Sequence, residues 1–517
     1  MSSLRTERGF VARCAALIAF APILAASAIA AAATVNQHVL DGANREGSVD
    51  AIIVLADQSR PSLAPLREDA DPRMRRRALV DALRRRAESS QQALRRWLAA
   101  RGIAHRDFWI VNVMQARIPA SALGELAARG EIERIEPNPH VALRLPQPEG
   151  GAVAAPQVVD LASGIAWGVM KIEAPAVWSA GITGQGVVIG GEDTGYQWNH
   201  PVLKPQYRGW DGAAADHNFN WHDAVHDAPS EPVCGNDSQA PCDPEGHGTH
   251  TAGTFAGDDG AGATPRHQVG VAPGAKWIGC RNMDASGNGT PARYIECMQW
   301  MLAPTDLSGQ NADPDLAPDV ISNSWYCPAE EGCTIGNELD AAIGALVDAG
   351  ILYVAAAQNS GPGCGTILGP PATQAASFDV GATNSSDALA GFSSRGPVSG
   401  STQTRPDLSA PGVNVCSSVP TNGYSCSASG TSMAAPHVAG AAALLMSAFP
   451  ALKGHPDKVA ELLRATATTQ GVTNTPGVTQ SCGGTAITQW PNYMAGYGRV
   501  DVWNAFHEVV FVDDFGG

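Results

Sequence analysis

The chain has 517 residues, 16% of them charged and 44% hydrophobic, with a formal net charge of −16. That charge is unevenly placed: residues 1–145 hold 21 Arg, no Lys and 15 Asp plus Glu, a net of +6, whereas residues 146–517 carry −22. The split points to two units of complementary charge rather than to a nucleic-acid partner, and no apolar run beyond residue 33 is long enough to span a bilayer.

In chain order, Arg5, Arg8 and Arg13 precede an apolar, alanine-rich run from Cys14 to about Ala33, and small residues at Ala31–Ala33 suit signal-peptidase cleavage. Residues 1–33 therefore read as a secretory signal, which predicts a secreted protein (extracellular or periplasmic) with no membrane attachment in its mature form. Residues 34–145 open with the strand-like VDAIIVL and continue into an arginine-rich helix over Pro72–Arg101. The strand-like FWIVNVMQARI, a short helix in ASALGELAARG and a last strand in IERIEP follow. This is a small α+β unit of ferredoxin-like pattern, part of whose arginine run is a solvated helical face. Residues 146–156, rich in Gly, Pro and Ala, read as a linker.

Residues 157–506 alternate apolar runs with helical patterns. VVIGGE, KWIGCRNM, DVISNSW, ILYVAAA and SFDVGAT are the strand candidates. Short apolar strands separated by helices predict an α/β fold, a mostly parallel sheet covered by helices on both faces. In the helix over Gly336–Ala349, Leu339, Ile343, Leu346 and Val347 share one face, and Gly350 ends it. Without Cys14, ten cysteines remain between Cys234 and Cys482, an even number that suits disulfides in an oxidising compartment. Cys234–Cys242, Cys327–Cys333 and Cys416–Cys426 look like local loops. Cys280–Cys297 and Cys364–Cys482 would complete the set, although spacing alone does not fix connectivity. No Cys-x-x-Cys pair favours zinc. Residues 507–517 read as a short tail, with an edge strand over His507–Val512, an unstructured end and no appended domain or anchor.

Three polar motifs carry the chemistry. In GTSMAAPHVAGAAALL, Ser432 sits where an alanine-rich helix begins, so its hydroxyl lies among free backbone N–H groups at the positive helix end. GHGTHTAGT presents His247 at a glycine-rich helix entry, and VVIGGEDTG ends a β-branched strand at Asp193. A serine needs a base to act as a nucleophile, and an Asp that fixes the imidazole completes the set. His250 and His437 are the rival bases, but His437 lies inside an apolar helix, where packing or internal bonding is the simpler role, and His250, within one helical turn of His247, can support the site without doing chemistry.

These blocks resemble the subtilisin-like serine peptidases in sequence, order and spacing, from about Val169 to Phe506. ILYVAAAQNSGP is similar to the family's oxyanion-hole segment, with Asn359 as donor, and VGVAPGAKWIG to the strand after the histidine helix. SNSWYCP, GNGTPARY and FSSRGPV look most like the bacillopeptidase-F-like branch. The resemblance implies a serine endopeptidase with catalytic Asp193, His247 and Ser432, an acyl-enzyme intermediate and an oxyanion hole at Asn359. It also implies a self-processing precursor in which residues 34–145 are an inhibitory propeptide cut near residues 146–156. Protein or peptide substrates would lie between two backbone edges, Gly287-Asn288-Gly289 and Ser324-Trp325-Tyr326. Tyr326 and Gln358 stand where most relatives have glycine. They leave the residue preference open, tilted toward large apolar or uncharged side chains. Catalysis needs no cofactor, and the acidic loops Asp211–Asp227 and Asp237–Glu245 can supply oxygen ligands for a structural calcium. A monomer is expected. The alternatives are a narrow-target processing protease and a catalytically inactive binding module.

Overall fold

A computed structural model describes residues 32–59, 71–146, 164–260, 262–263 and 266–512. The signal run over residues 1–31 and the linker from residue 147 to 156 lie outside the described residues.

The amino-terminal unit is a five-stranded sheet in the order Thr34–Val35, Ile132–Pro137, Ser48–Leu55, Val113–Pro119, His105–Phe108. Its first pair is parallel and the others are antiparallel. The strand and helix at its start, Thr34–Val35 and Gln37–Glu46, were not expected. The helix is started by Asn36, whose side chain accepts the His38 N–H at 3.0 Å, and ended by Gly47 at φ 74°. Ala51 to Leu55 are all buried because both sheet faces are covered. Ala51, Ile53 and Leu55 join the unit's own core with Leu94 and Leu98 of the long helix Pro72–Ala100. Ile52 and Val54 face the core that lies against helices Pro291–Leu302 and Gly336–Asp348 of the second unit.

The second unit is built on a seven-stranded sheet in the order Leu408–Pro411, Phe378–Thr383, Leu352–Ala356, Val320–Asn323, Val188–Asp193, Lys276–Arg281, Trp221–Asp223. Every neighbouring pair is parallel. The five expected strands are its centre. The two short edge strands, three and four residues long, gave too little pattern to read. Side chains alternate between two cores: Leu352, Val354 and Ala356 pack with helices His247–Ala256 and Thr431–Ala448, and Tyr353 and Ala355 pack on the opposite face. The five disulfides are the pairs given above.

The carboxyl end corrects one expectation. Val502–Val512 is a helix, not a tail with an edge strand, and the boundary at residue 506 cuts through it. Val502, Ala505, Phe506 and Val509 recur at helical spacing and pack on the core beside the Ser432 helix. Residues 513–517 lie outside the described residues. Among the described residues, no helix is long and apolar enough to cross a membrane.

Candidate active site

Asp193, Ser324 and Asn359 stand at or just beyond the carboxyl ends of three adjacent parallel strands, Val188–Asp193, Val320–Asn323 and Leu352–Ala356. This is the edge of an α/β sheet where ligands bind. His247 is the first residue of its helix, and Ser432 the second of the helix Thr431–Ala448. Close approach explains one glycine of the histidine motif: a Cβ on Gly248 would lie 2.1 Å from the Gly195 carbonyl oxygen. Only glycine lets that helix start sit against the strand that ends in Asp193.

His247 Nδ1 and Asp193 Oδ1 are 2.6 Å apart, and both side chains are buried. Asp193 is held in turn by the Thr194 N–H at 2.7 Å and the Thr251 hydroxyl at 3.1 Å. Burial alone would pull the His247 pKa down, but the Asp193 charge and hydrogen bond outweigh it, and the net shift is upward. Its Nε2 has no hydrogen-bond partner. The Ser432 hydroxyl is turned to the Ser324 carbonyl at 3.4 Å, so no Ser432–His247 bond is formed. A serine–histidine pair can be loose in this way and tighten only in the productive complex. Asn359 accepts the Thr431 N–H at 2.9 Å and the Thr431 hydroxyl at 3.0 Å through Oδ1. That fixes its Nδ2 as a donor, and it donates to the Arg144 carbonyl at 3.2 Å.

With this geometry in place, comparison with known proteins is informative. Residues 184–484 match the subtilase family. The chain belongs to the subtilase family. Bacillopeptidase F of Bacillus subtilis (strain 168) is 34% identical over 438 residues, which is 83% of this chain and 29% of that protein. This subtilase thus spans less than a third of that relative's length. Subtilisin Savinase of Lederbergia lenta is 32% identical over 61% of this chain and 96% of its own. Subtilisin E of Bacillus subtilis (strain 168) is 30% identical over 72% and 79%. Subtilases are serine-type endopeptidases, so the class of chemistry is peptide-bond hydrolysis at a serine.

The rival histidines are held neutral in this subtilase. His250 Nε2 lies 3.2 Å from the Val415 carbonyl, and burial and the nearby His247 bring its pKa down to about 3. His437 Nδ1 lies 2.8 Å from the Met433 carbonyl one turn back, with its pKa lowered by burial to about 4.

Of the two expected substrate edges, one is occupied. The segment Val141–Ala142 pairs antiparallel with Asn288–Gly289, and the Leu143 N–H donates to the Gly287 carbonyl at 2.8 Å. Ser324, Trp325 and Tyr326 form no backbone hydrogen bond to that segment. Trp325 instead stacks on Tyr294, with ring centroids 3.8 Å apart and planes within 4°. The Ala142 N–H is taken by Glu331 Oε2 at 3.0 Å. Gln358 is locked, its amide bonded to the Gly369 carbonyl at 2.7 Å and the Leu368 N–H at 3.0 Å.

Sequence reasoning missed the supporting acids. Asp243 accepts from the Thr194 hydroxyl, the Gly246 and Thr249 N–H groups and the Thr249 hydroxyl, all within 2.9 Å. Glu245 accepts the His247 N–H at 2.8 Å. The signal was present in DPEGHG: carboxylates just before a helix start, where they satisfy its free N–H groups. Two acids of the loops considered for calcium have protein partners, Asp223 in a buried ion pair with Arg281 and Asp243 in the turn above. Among the described residues no group of three or more His, Cys, Asp and Glu is arranged to hold a metal ion.

Proposed function

We propose that this subtilase is a secreted endopeptidase of broad protein substrates, made as a precursor that processes itself. Ser432 Oγ attacks a peptide carbonyl carbon while its proton passes to His247 Nε2, the one free nitrogen of that ring. Asp193 holds the opposite nitrogen and stabilises the imidazolium. The oxyanion is held by Asn359 Nδ2 and the Ser432 N–H at the helix start. The C–N bond then breaks as His247 returns the proton to the leaving amine. Water, deprotonated by the same histidine, releases the acyl group from Ser432. The unit of residues 34–145 acts as the inhibitory propeptide.

The observation that carries this reading is the donor set itself: the Asn359 amide, oriented by the Thr431 residue that precedes Ser432, is already hydrogen-bonded to the Arg144 peptide carbonyl. The test is mass spectrometry of denatured casein after incubation with wild-type and Ser432→Ala protein. Cleavage by the wild type, absent in the variant and blocked by a serine-reactive phosphonate, is expected. Equal digestion by Ser432→Ala, or maturation of that variant without another protease, would refute it.

A further inference from the structure

The segment in the cleft is a piece of this chain, and it is aligned on the site in one register. We infer that the first self-cleavage falls between Arg144 and Leu145, and that Glu331 makes arginine the preferred residue on the amino side of the cut bond. The inference rests on the peptidase reading above and adds the substrate class of the same site.

Three observations fix the register. The carbonyl oxygen held by Asn359 is that of Arg144, not of Leu143 or Leu145. The ladder of Val141 on Gly289 and Ala142 on Asn288, continued by Leu143 on the Gly287 carbonyl, leaves no room for a one-residue slip. A slip would turn Val141, 1% exposed, out of the core it shares with Tyr294 and Trp325. Beyond the bond, Leu145 is 42% exposed, and Pro146 reaches the start of the Ser432 helix, where a Cβ on Gly430 would lie 3.6 Å from its ring.

The side-chain preference follows from Glu331. One carboxylate oxygen accepts the Ala142 N–H, and the other pairs with the Arg144 guanidinium. The same group therefore reads the backbone two residues before Arg144 and the charge of Arg144 itself. Glu331 closes a short helical turn, Ala329–Glu331, inside the loop tied by Cys327–Cys333, and its side chain is 13% exposed. A guanidinium matches a carboxylate fixed in this way better than an ammonium or an apolar side chain does. Arg144 remains 57% exposed, so the preference is moderate and weakens with salt. In the reaction, water adds OH to the Arg144 carbonyl carbon and H to the Leu145 nitrogen.

The experiment uses the full chain and two peptides that differ only in carrying Arg or Leu before the cut bond. The earliest amino-terminal fragment released by the wild type should end at Arg144, by intact mass. Its kcat/KM should favour the Arg peptide, and Glu331→Gln, which keeps an acceptor for the backbone N–H, should narrow the Arg-to-Leu ratio about tenfold. Arg144→Leu should slow the first cleavage, a readout that does not depend on the folding of any Glu331 variant. A first fragment that ends elsewhere, or an Arg-to-Leu ratio that Glu331→Gln leaves unchanged, overturns the assignment. If the wild type still digests casein, the peptidase reading survives that result. Folded wild-type protein that cuts neither casein nor peptides overturns both.

Discussion

The two units of this molecule are fastened by different means. Within the second unit, each group of the site is held by its own fold: Asp193 by Thr194 and Thr251, Asn359 by Thr431, the His247 backbone by Glu245. Between the units, a shared apolar core in which Ile52, Val54, Leu79 and Leu83 meet Ile295, Leu339 and Ile343 is supplemented by ties from arginines and backbone ends. Arg76 donates to the Ala349 carbonyl at 3.1 Å and the Pro314 carbonyl at 3.2 Å, Arg75 reaches the Gly454 carbonyl at 2.6 Å, and Arg134 pairs with Glu338. Asn138 accepts the Ala292 N–H at a helix start at 2.9 Å. The difference is that most ties holding the groups of the site lie within the second unit, whereas the arginines of the contact belong to the positively charged part of the chain.

The largest break in the comparison is Ser432→Ala. It should lower turnover by on the order of 10⁶, the magnitude measured for the serine of subtilisin, and leave the two units joined as one chain on a denaturing gel. Next is Asn359→Ala, which removes a side chain of the site that touches both units. Loss of an oxyanion donor costs on the order of 10²–10³ in kcat. The measurement is kcat on one peptide. A loss confined to KM would mean that Asn359 positions the bound segment and does not stabilise the transition state.

The same separation governs what could be read from sequence. The site of the second unit was legible because each group sits in a local pattern, a strand end or a glycine-rich helix start, that the chain must spell out. The five central strands were legible as apolar runs. Glu331 was not, because an acid in a loop carries no mark of the partner it will meet 187 residues earlier in the chain. The carboxyl-terminal helix was misread because HEVVFV taken alone alternates too little to separate strand from helix, and the deciding residues, Val502 and Ala505, lie before it. The arginine run was half legible: Arg75, Arg76 and Arg77 meet the second unit, while Arg73, Arg85 and Arg96 are exposed.

The pH response should come from inside the second unit alone. His247 must be neutral to accept a proton, and its pKa lies above the ordinary 6.5 because Asp193 outweighs burial. Activity should therefore fall about tenfold per pH unit below an acid limb that lies above 6.5, read from a kcat/KM profile. Stability runs by opposite signs in the same helices. The contribution of His247 is fully present below the unfolded value and is lost as pH rises through its raised pKa. His250 and His437, lowered to about 3 and about 4, contribute stability that is lost as pH falls from the unfolded value toward those figures. Melting of Ser432→Ala against pH separates these effects from self-digestion. A limb below 6.5 would mean that Asp193 does not outweigh burial.

The finest test compares two arginines at the interface. Arg134 is 19% exposed and Glu338 only 5%, so removing the cation strands a carboxylate in the contact. Arg134→Ala should speed the appearance of activity from the full-length precursor on the order of tenfold, and Glu338→Gln in the same chain should recover part of it. Arg77, on the long helix Pro72–Ala100, pairs with Asp315 of the second unit, but its side chain is 60% exposed and water replaces the partner. Arg77→Ala should leave the activation time course unchanged. Equal acceleration by the two variants would mean that the net positive charge of the amino-terminal unit, not the buried Arg134–Glu338 pair, holds the units together, and raising the salt concentration would then abolish both effects.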